Sequence, residues 1–397
     1  MNKIEIDFIV NTPIDNNVGR RVKRLVETLS YTSTEVDVHW ASLFEEGILS
    51  KLADMLKLLF SKVRLVHIIE PFGPSFIFLI PFIIAGKKII YQTGDIHYKT
   101  AELVAQRGPK FLLFKLSEKF HYFFSNNILV GSVGHKEFLC SVFGMKNEKI
   151  KKVNYFGCPD VDDGKFLYSD QSDVQNSLIY LLRRKTSGKF VIAFSASLRV
   201  LKIGKDYVPR GWEIPFIVDR LVNVYHNDVS AIILGEGPGK SLIEAISVNL
   251  GIKDRVLTIG NATRKDYFRI LDIASIFFVE SFDHITYSIM YPSKISDYVY
   301  AGKPFIWSFN PESSPWNDYP LLVKPAKLLD NFFVANEEYI SEVTSLIDRF
   351  INDDSFRTMC YSGFGKMKSG LPSWTGIAND VIVLYKKLNT MSPTSNL

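Results

Sequence analysis

Lys294 and Asp297 are the residues whose types and spacing most clearly permit binding chemistry. They lie in the stretch Glu280–Ser308, where Pro292, Ser293 and Lys294 are predicted to begin a short helix. The N–H groups at a helix start, beside the Lys294 charge, suit an anion such as a diphosphate. Asp297 lies three residues after Lys294, so its carboxylate shares one helix face with it and could accept hydrogen bonds from sugar hydroxyls. An ordinary capped helix of an α/β sheet remains the alternative.

A second group of basic residues lies in the segment Ser195–Arg210, which is predicted to be a long loop after a strand. Asp206 is its only acidic residue. Arginine can grip phosphate oxygens through two parallel hydrogen bonds, and lysine adds a point charge. The segment therefore predicts phosphate contacts, although a solvated basic loop would carry the same cations, which are Arg199, Lys202, Lys205 and Arg210.

A glycine-rich turn follows the next predicted strand, Ser230–Leu234. Its sequence, GEGPGKS, is similar to a phosphate-binding P-loop, but the spacing of that loop requires a glycine at Leu234. We therefore exclude a P-loop ATPase. The glycines Gly235 and Gly237 are instead expected to let the backbone approach a ligand closely.

Asp95 and His97 are the candidates for acid–base chemistry in the first half of the chain. They follow the predicted strand Lys88–Tyr91. Such side chains at a strand end could move a proton or orient a substrate hydroxyl, and a turn capped by the aspartate is the alternative. The sequence has no HExxH motif, no nucleophile elbow and no cluster of Cys or His ligands, so it predicts no metal site.

The order of predicted elements indicates two α/β domains. A chain of 397 residues is too long for one typical core. Strands alternate with helices up to about residue 155, a polar segment follows, and the alternation restarts at Phe190. This pattern predicts parallel, doubly wound sheets that bind ligands at the carboxyl ends of their strands. We expect the domains at 1–168 and 169–372.

Composition predicts a globular, cytoplasmic protein. The net charge of +5 is too small to argue for nucleic acid, but it is compatible with phosphate-bearing ligands or an anionic membrane surface. Three distant cysteines favour a reducing compartment, and the longest apolar run, Phe76–Ala85, is too short to span a bilayer and is predicted to be a buried helix. The Phe- and Leu-rich helix Lys110–Phe124, with its spaced lysines, is predicted either to lie at a membrane surface or to pack on the sheet.

Three segments of the second half resemble family 4 glycosyltransferases, which have the GT-B fold. SKISDYVYAGKPFI resembles the family signature S-K-x-x-E-Y-x-x-A-G-K-P. LGEGPGKSLIEAISVNLGIKDRVLTIG and RKDYFRILDIASIFFVES resemble the two segments that precede it. The region around Trp374 is similar to the final helix of the family, so we expect 373–390 to return to the first domain. The resemblance implies two Rossmann-like domains with parallel sheets facing a central cleft.

The resemblance also implies roles for residues of the predicted donor site. Arg199 and Arg210 would hold the diphosphate of a nucleoside-diphosphate sugar, with Ser293 and Lys294 beside it, and Asp297 would bind the nucleotide ribose. We add two residues to this predicted site, which are Lys205 of the basic segment and Arg264 at the start of RKDYF.

The chain departs from the family at two positions. The first Glu of the family's E-x7-E pair falls on Ile289, and the His that follows the fourth strand falls on Gly94.

The predicted function is transfer of a sugar from a nucleotide-sugar donor to the hydroxyl of a glycan or lipid-linked acceptor. The resemblance implies retention at the anomeric carbon without a metal cofactor, with the donor in the second domain and the acceptor in the first. The resemblance and the departures also leave two alternatives, a sugar-nucleotide epimerase and a non-catalytic partner subunit that keeps the nucleotide site.

Overall fold

The protein divides into two compact units. The structure, a computed structural model, describes residues 3–10, 17–42, 48–69, 76–103, 108–153, 178–289, 292, 294–308, 316 and 319–390. The first unit contains Met1–Gly157, Ile289–Tyr291 and Pro372–Leu397, and the second contains Cys158–Ser288 and Pro292–Leu371.

A parallel six-stranded sheet forms the centre of the first unit. Its strands are β1 (Ile4–Val10), β2 (Val36–Ser42), β3 (Leu65–Ile69), β4 (Lys88–Thr93), β5 (Asn127–Val130) and β6 (Ile150–Lys152). They lie in the order β2-β1-β3-β4-β5-β6. Strands β3 and β4 are buried along their whole length, as expected for apolar strands that helices cover on both faces. The helices are α1 (Asn17–Thr32), α2 (Ile48–Phe60), α3 (Phe76–Ile84), α4 (His97–Leu103), α5 (Pro109–Phe124) and α6 (Val133–Phe143).

The second unit has its own parallel six-stranded sheet. Its strands are β7 (Phe190–Ser195), β10 (Val229–Leu234), β11 (Val256–Ile259), β12 (Ile276–Val279), β13 (Phe305–Ser308) and β14 (Leu322–Val323), and a hairpin of β8 (Val200–Ile203) and β9 (Asp206–Pro209) follows β7. The order β11-β10-β7-β12-β13-β14 is that of a Rossmann sheet. The helices are α7 (Leu178–Thr186), α8 (Glu213–Asn223), α9 (Gly239–Asn249), α10 (Arg264–Ile273), α11 (Ile285–Ile289), α12 (Lys294–Tyr300), α13 (Phe332–Ala335), α14 (Glu337–Asn352) and α15 (Asp354–Gly370).

The last helix, α16 (Trp374–Thr390), packs in the first unit. It contacts α1, and Trp374 and Tyr385 belong to the same buried core as residues of β1. The Tyr385 hydroxyl lies 2.7 Å from Nδ1 of His67, which is fully buried on β3. Burial lowers the pKa of His67 to about 3, so this histidine is neutral in the folded protein.

Two predictions about local structure are wrong. Ser195–Arg210 is not one long loop, because β8 and β9 pair over most of it and Gly204, with φ of 57°, begins a two-residue turn between them. The run Phe76–Ala85 does contain a helix, but this helix is not buried all round, since Ile84 is 81% exposed. A uniformly apolar run does not show which face other elements will cover.

Candidate functional site

The second sheet has a switch point between the adjacent strands β7 and β12. From β7 the chain continues to β10 on one side of the sheet, whereas β12 begins the other side. Loops that leave such a point diverge, and the crevice at the carboxyl ends of the strands is where doubly wound sheets bind ligands. Strand β7 ends at Ser195 and leads into the β8–β9 hairpin, and β12 ends at Val279, directly before Glu280.

The hairpin brings Arg199 and Arg210 together at its base. Val200 pairs with Pro209, and the Arg210 N–H donates to the Arg199 carbonyl at 2.9 Å. Lys205 lies in the turn at the opposite end. Five residues of extended chain between Lys205 and Arg210 correspond to about 16 Å, more than a lysine side chain spans. The structure therefore places Lys205 at the other end of the hairpin from the two arginines, and a contact of Lys205 with the donor stays a prediction.

Glu280 holds the Arg210 side chain in place. Arg210 Nε donates to Oε1 of Glu280, and the Gly211 N–H donates to Oε2 at 2.6 Å. Burial opposes the charged form of Arg210, but the neighbouring Glu280 carboxylate outweighs it and raises the pKa of Arg210 above its ordinary value. Glu280 is fully buried, whereas the Arg210 side chain is 23% exposed.

The anchoring through Nε leaves the rest of the Arg210 guanidinium available. Among the described residues, its two terminal nitrogens have no hydrogen-bond partner. The guanidinium is a planar fork whose terminal nitrogens can bind two phosphate oxygens at once. Arg199, also exposed, adds a second positive charge at the base of the hairpin. The pair therefore places two positive charges at the switch point, an arrangement that can chemically accommodate an anion.

Lys294 begins α12 beside this pair, but its nitrogen is buried. Nζ lies 4.5 Å from the centre of the Phe194 ring and has no hydrogen-bond partner in the part of the chain that the structure describes. Burial, followed by the Arg210 charge, lowers the pKa of Lys294 to about 7. Helix α12 is fixed by Tyr298, which stacks on Phe277 at 4.1 Å and lies within 3.1 Å of the Ser195 hydroxyl. Ser293, predicted to lie beside Lys294, falls outside the described residues.

Glu213 is a charged residue of the site that the sequence did not single out. It is the first residue of α8 and is completely buried, and neither of its carboxylate oxygens has a partner among the described residues. Burial, followed by the nearby Glu280 charge, raises the pKa of Glu213 well above its ordinary value. An acidic residue in a first helical turn ordinarily interacts with the helix dipole at the surface, so the sequence gave no signal that this one is internal.

Asp297 and Arg264 form an ion pair with each other. The two terminal nitrogens of Arg264 donate to the two Asp297 oxygens at 3.1 and 3.3 Å. The Arg264 guanidinium also lies 4.2 Å from the centre of the Phe268 ring. The structure thus brings these two predicted site residues together, although they lie 33 positions apart in the sequence. A contact of either residue with a ribose or phosphate stays a prediction.

Gly235 and Gly237 are required for close packing within the chain. Their φ angles are 139° and 146°, which side chains rarely adopt. A Cβ at Gly235 would lie 1.8 Å from the Ala196 carbonyl oxygen, and one at Gly237 would lie 2.4 Å from that of Leu198. The close backbone approach predicted here is therefore to the segment that follows β7, and contact with a ligand stays a prediction.

Asp95 and His97 lie after β4 in the first unit, and both are partly exposed. His97 is the first residue of α4, whose N–H groups at His97 and Tyr98 donate to the buried carboxylate of Glu118 at 3.0 and 2.9 Å. Tyr122 also donates to Glu118, at 2.6 Å. Glu118 therefore fixes the start of this helix, and the sequence did not point to it. The catalytic roles of Asp95 and His97 stay predictions.

Two further predictions concern the family Glu that is replaced by Ile289 and the lack of a metal site. Ile289 is the last residue of α11 and, unlike the rest of that helix, belongs to the first unit, where it is buried and its carbonyl oxygen accepts a hydrogen bond from Ser132. The carboxylate that the structure does place beside Arg210 is Glu280. In the described ranges, no group of three or more His, Cys, Asp or Glu side chains could hold a metal ion.

Solved structures match the chain over nearly its whole length. A glycosyltransferase from Rickettsia africae ESF-5 is similar with a TM-score of 0.62 and 13% identity, over 99% of this chain and 100% of that chain. WaaG, a glycosyltransferase involved in lipopolysaccharide biosynthesis, is similar with a TM-score of 0.61 and 13% identity, over 95% of this chain and 99% of its own. The chain has the GT-B fold. The predicted fold class is thereby confirmed.

The GT-B fold by itself does not define the reaction. A UDP-N-acetylglucosamine 2-epimerase is also similar, with a TM-score of 0.55 and 11% identity, over 99% of this chain and 98% of that chain. No protein-family model matches the sequence, and no curated protein matches it. Similarities at these identities show the fold alone, so function rests on the residues of the site.

Proposed function

We propose that the protein is a glycosyltransferase that transfers a sugar from a nucleoside-diphosphate sugar to an acceptor hydroxyl. The observation that carries the proposal is Arg210, which Glu280 anchors through Nε so that two terminal nitrogens remain for an anion at the switch point of the second sheet. A diphosphate bridging Arg210 and Arg199 matches this arrangement of charge.

The proposed chemistry needs positive charge at the departing diphosphate. As the bond to the sugar breaks, negative charge develops on the β-phosphate, and a preoriented guanidinium stabilises it without reorganisation. We propose that arginine and lysine side chains supply this stabilisation without a metal, as in the family 4 enzymes that the sequence resembles, with retention at the anomeric carbon. The first unit would bind a glycan or lipid-linked acceptor of surface polysaccharide synthesis, with Asp95 and His97 at its hydroxyl.

Nucleotide binding and sugar transfer test this proposal in separate steps. UDP, GDP, ADP and their sugar conjugates are titrated calorimetrically, and the ligand that binds is then offered in labelled form with acceptor extracts. Arg210→Met should weaken binding of the nucleoside diphosphate at least tenfold, because it removes a charge-assisted contact worth about 1.5–3 kcal/mol. The control Lys253→Met removes an exposed cation from the turn before β11, at the amino end of the same sheet, and should leave affinity unchanged. Equal affinity of Arg210→Met and wild type would refute the donor site.

An epimerase is the second candidate, because a UDP-N-acetylglucosamine 2-epimerase shares the fold. It would convert a nucleotide sugar with no acceptor present, so product analysis without acceptor separates the two reactions. A non-catalytic partner subunit is favoured by the residues Ile289 and Gly94, at which the resemblance expects a Glu and a His. Tight nucleotide binding with no turnover of any sugar donor would support that alternative.

We further propose that the first unit touches the membrane that carries a lipid-linked acceptor. Helix α5 exposes an apolar arc about 120° wide at 100° per residue. Its members are Leu112, Leu113, Leu116, Phe123 and Phe124, each 39% exposed or more. Helix α3 contacts both α5 and α2 and exposes Ile84 at 81%, and α2 exposes Phe60 at 80%. Lys115 and Lys119 border the arc, which suits anionic lipid.

Flotation with vesicles of phosphatidylglycerol and phosphatidylethanolamine tests this surface. We expect wild type to float at low salt and the double variant Leu112→Glu/Leu116→Glu to remain in the soluble fraction. The double variant Val224→Glu/Val248→Glu places the same two charges at exposed apolar positions of the second unit, so it should float like wild type. Full retention of wild type in the soluble fraction would remove the support. In the described ranges, no helix is long and apolar enough to cross a membrane.

A further inference from the structure

Lys294 lies where its protonation state is sensitive to an anion bound at the neighbouring Arg210. Its nitrogen is buried over the Phe194 ring and makes no hydrogen bond to the described residues. The Arg210 guanidinium lies close enough to disfavour a second positive charge, while Glu280 and Glu213 favour it. Glu280 is already paired with Arg210, so the charge of Arg210 cancels most of the negative potential that Glu280 would produce at Lys294. Lys294 is therefore a buried amine whose nitrogen has no hydrogen-bonded anion among the described residues.

We infer that Lys294 takes up a proton when a nucleoside diphosphate binds at Arg210. The inference rests on the proposed function and deepens it, because it assigns a proton to the binding step. Two or three negative charges arriving beside Arg210 reverse the field that Lys294 experiences, and an opposite charge at short range favours the ammonium form. The long, flexible stem of lysine lets Nζ move from the Phe194 ring toward the anion.

The other titratable groups around Lys294 limit what else can bind this proton. Burial raises the pKa of Tyr287 on α11 to about 12, and burial raises the pKa of Tyr339 on α14 well above its ordinary value, so both hydroxyls keep their protons near pH 8. Glu280 accepts from Arg210 and Gly211. Glu213 is the remaining candidate, because burial raises the pKa of its carboxyl. The test must therefore separate Lys294 from Glu213.

Calorimetric titration in buffers of different ionisation enthalpy measures the number of protons taken up for each nucleotide bound. The experiment uses the full chain and the probes UDP, GDP and ADP at about pH 8, where a phosphate with a second pKa near 6 is fully ionised. With the pKa of Lys294 near 7, about nine in ten molecules hold the neutral amine at that pH, so binding should take up about 0.9 proton. Affinity should then fall about tenfold for each further pH unit.

Three variants assign the proton to a residue. Lys294→Arg carries a permanent charge, so it should bind the nucleotide with no proton uptake and with an affinity that is flat above pH 8. Lys294→Met should also show no uptake and should bind more weakly. Glu213→Gln should keep the uptake, because the titrating amine is still present.

The possible results show separately whether the inference about Lys294 and the proposed function hold. Binding with proton uptake that disappears in Lys294→Arg supports the inference. Binding without uptake in wild type overturns the inference and leaves the donor site standing. Uptake that persists in both Lys294 variants and disappears in Glu213→Gln overturns the assignment to Lys294. No binding of any of the three nucleotides overturns the proposed function and the inference together.

Discussion

The ion pair between Arg210 and Glu280 supports a quantitative prediction. Replacing Arg210 by Met leaves the Glu280 carboxylate buried, and among the described residues its remaining partner is the Gly211 N–H. Removing one partner of a buried ion pair typically costs about 3–5 kcal/mol of unfolding free energy. Replacing Glu280 by Gln instead leaves a guanidinium that is 23% exposed, so water partly solvates it. We expect that variant to lose about 2 kcal/mol, the value of one charge-assisted hydrogen bond.

The double variant Arg210→Met/Glu280→Gln separates the pair from its surroundings. Because neither charge remains, the penalty of an unpaired buried carboxylate disappears. We expect the double variant to be about 2–3 kcal/mol more stable than the sum of the single effects predicts, as is usual for residues in direct contact. Lys205→Met, on the exposed turn of the same hairpin, is the control and should change stability by less than about 0.5 kcal/mol.

Urea unfolding monitored by tryptophan fluorescence measures these values. Trp212 and Trp307 are buried in the second unit and report its transition. The unit should be followed through its own transition, because two units need not unfold together. A cost below about 1 kcal/mol for Arg210→Met, or additive single variants, would show that Glu280 does not hold this arginine.

Two further predictions concern stability. Burial lowers the pKa values of His67, His121 and His135 to about 3, 4 and 3. At these three histidines the folded first unit therefore binds fewer protons than the unfolded chain below pH 6.5, and the stability that they contribute above that pH is lost as the pH falls. At pH 5 each histidine costs about 2 kcal/mol, a large share of a domain's 5–15 kcal/mol. Urea unfolding and hydrogen exchange at pH 7 and 5 check this, and an unchanged first unit would contradict it. Gly235→Ala should lower the free energy of unfolding by more than about 2 kcal/mol, because its Cβ would clash with Ala196. Gly365→Ala, in an α-helix with open space around it, should raise that free energy by at most about 1 kcal/mol. Thermal unfolding measures both variants, and equal effects would show that the turn tolerates a side chain.

Local patterns were sufficient to predict two parallel α/β sheets, whereas the GT-B fold was implied by the family resemblance. Buried strands such as Ser230–Leu234 are short apolar runs, and the helices between them carry period and stop signals that need no knowledge of distant residues. The β8–β9 hairpin was missed because the lysines within it resemble those of a loop. Its alternation and its Gly204-Lys205 turn were nevertheless present as a signal.

The site was predictable only as a set of charges. Sequence placed Arg199, Arg210 and Lys294 near strand ends, but their partners depend on tertiary contacts. Glu280 meets Arg210 across 70 positions, and no spacing rule connects them. Glu213 was missed for the same reason, because a charged residue in a first helical turn gives no sign that the fold will bury it.

The central claim is that Arg210, anchored by Glu280, binds the diphosphate of a sugar donor. A crystal structure of the protein with the nucleoside diphosphate that binds most tightly tests it most directly. The account predicts phosphate oxygens within hydrogen-bonding distance of both terminal nitrogens of Arg210, with Nε still on Glu280. Phosphates bound elsewhere, with Arg210 turned away from them, would contradict it.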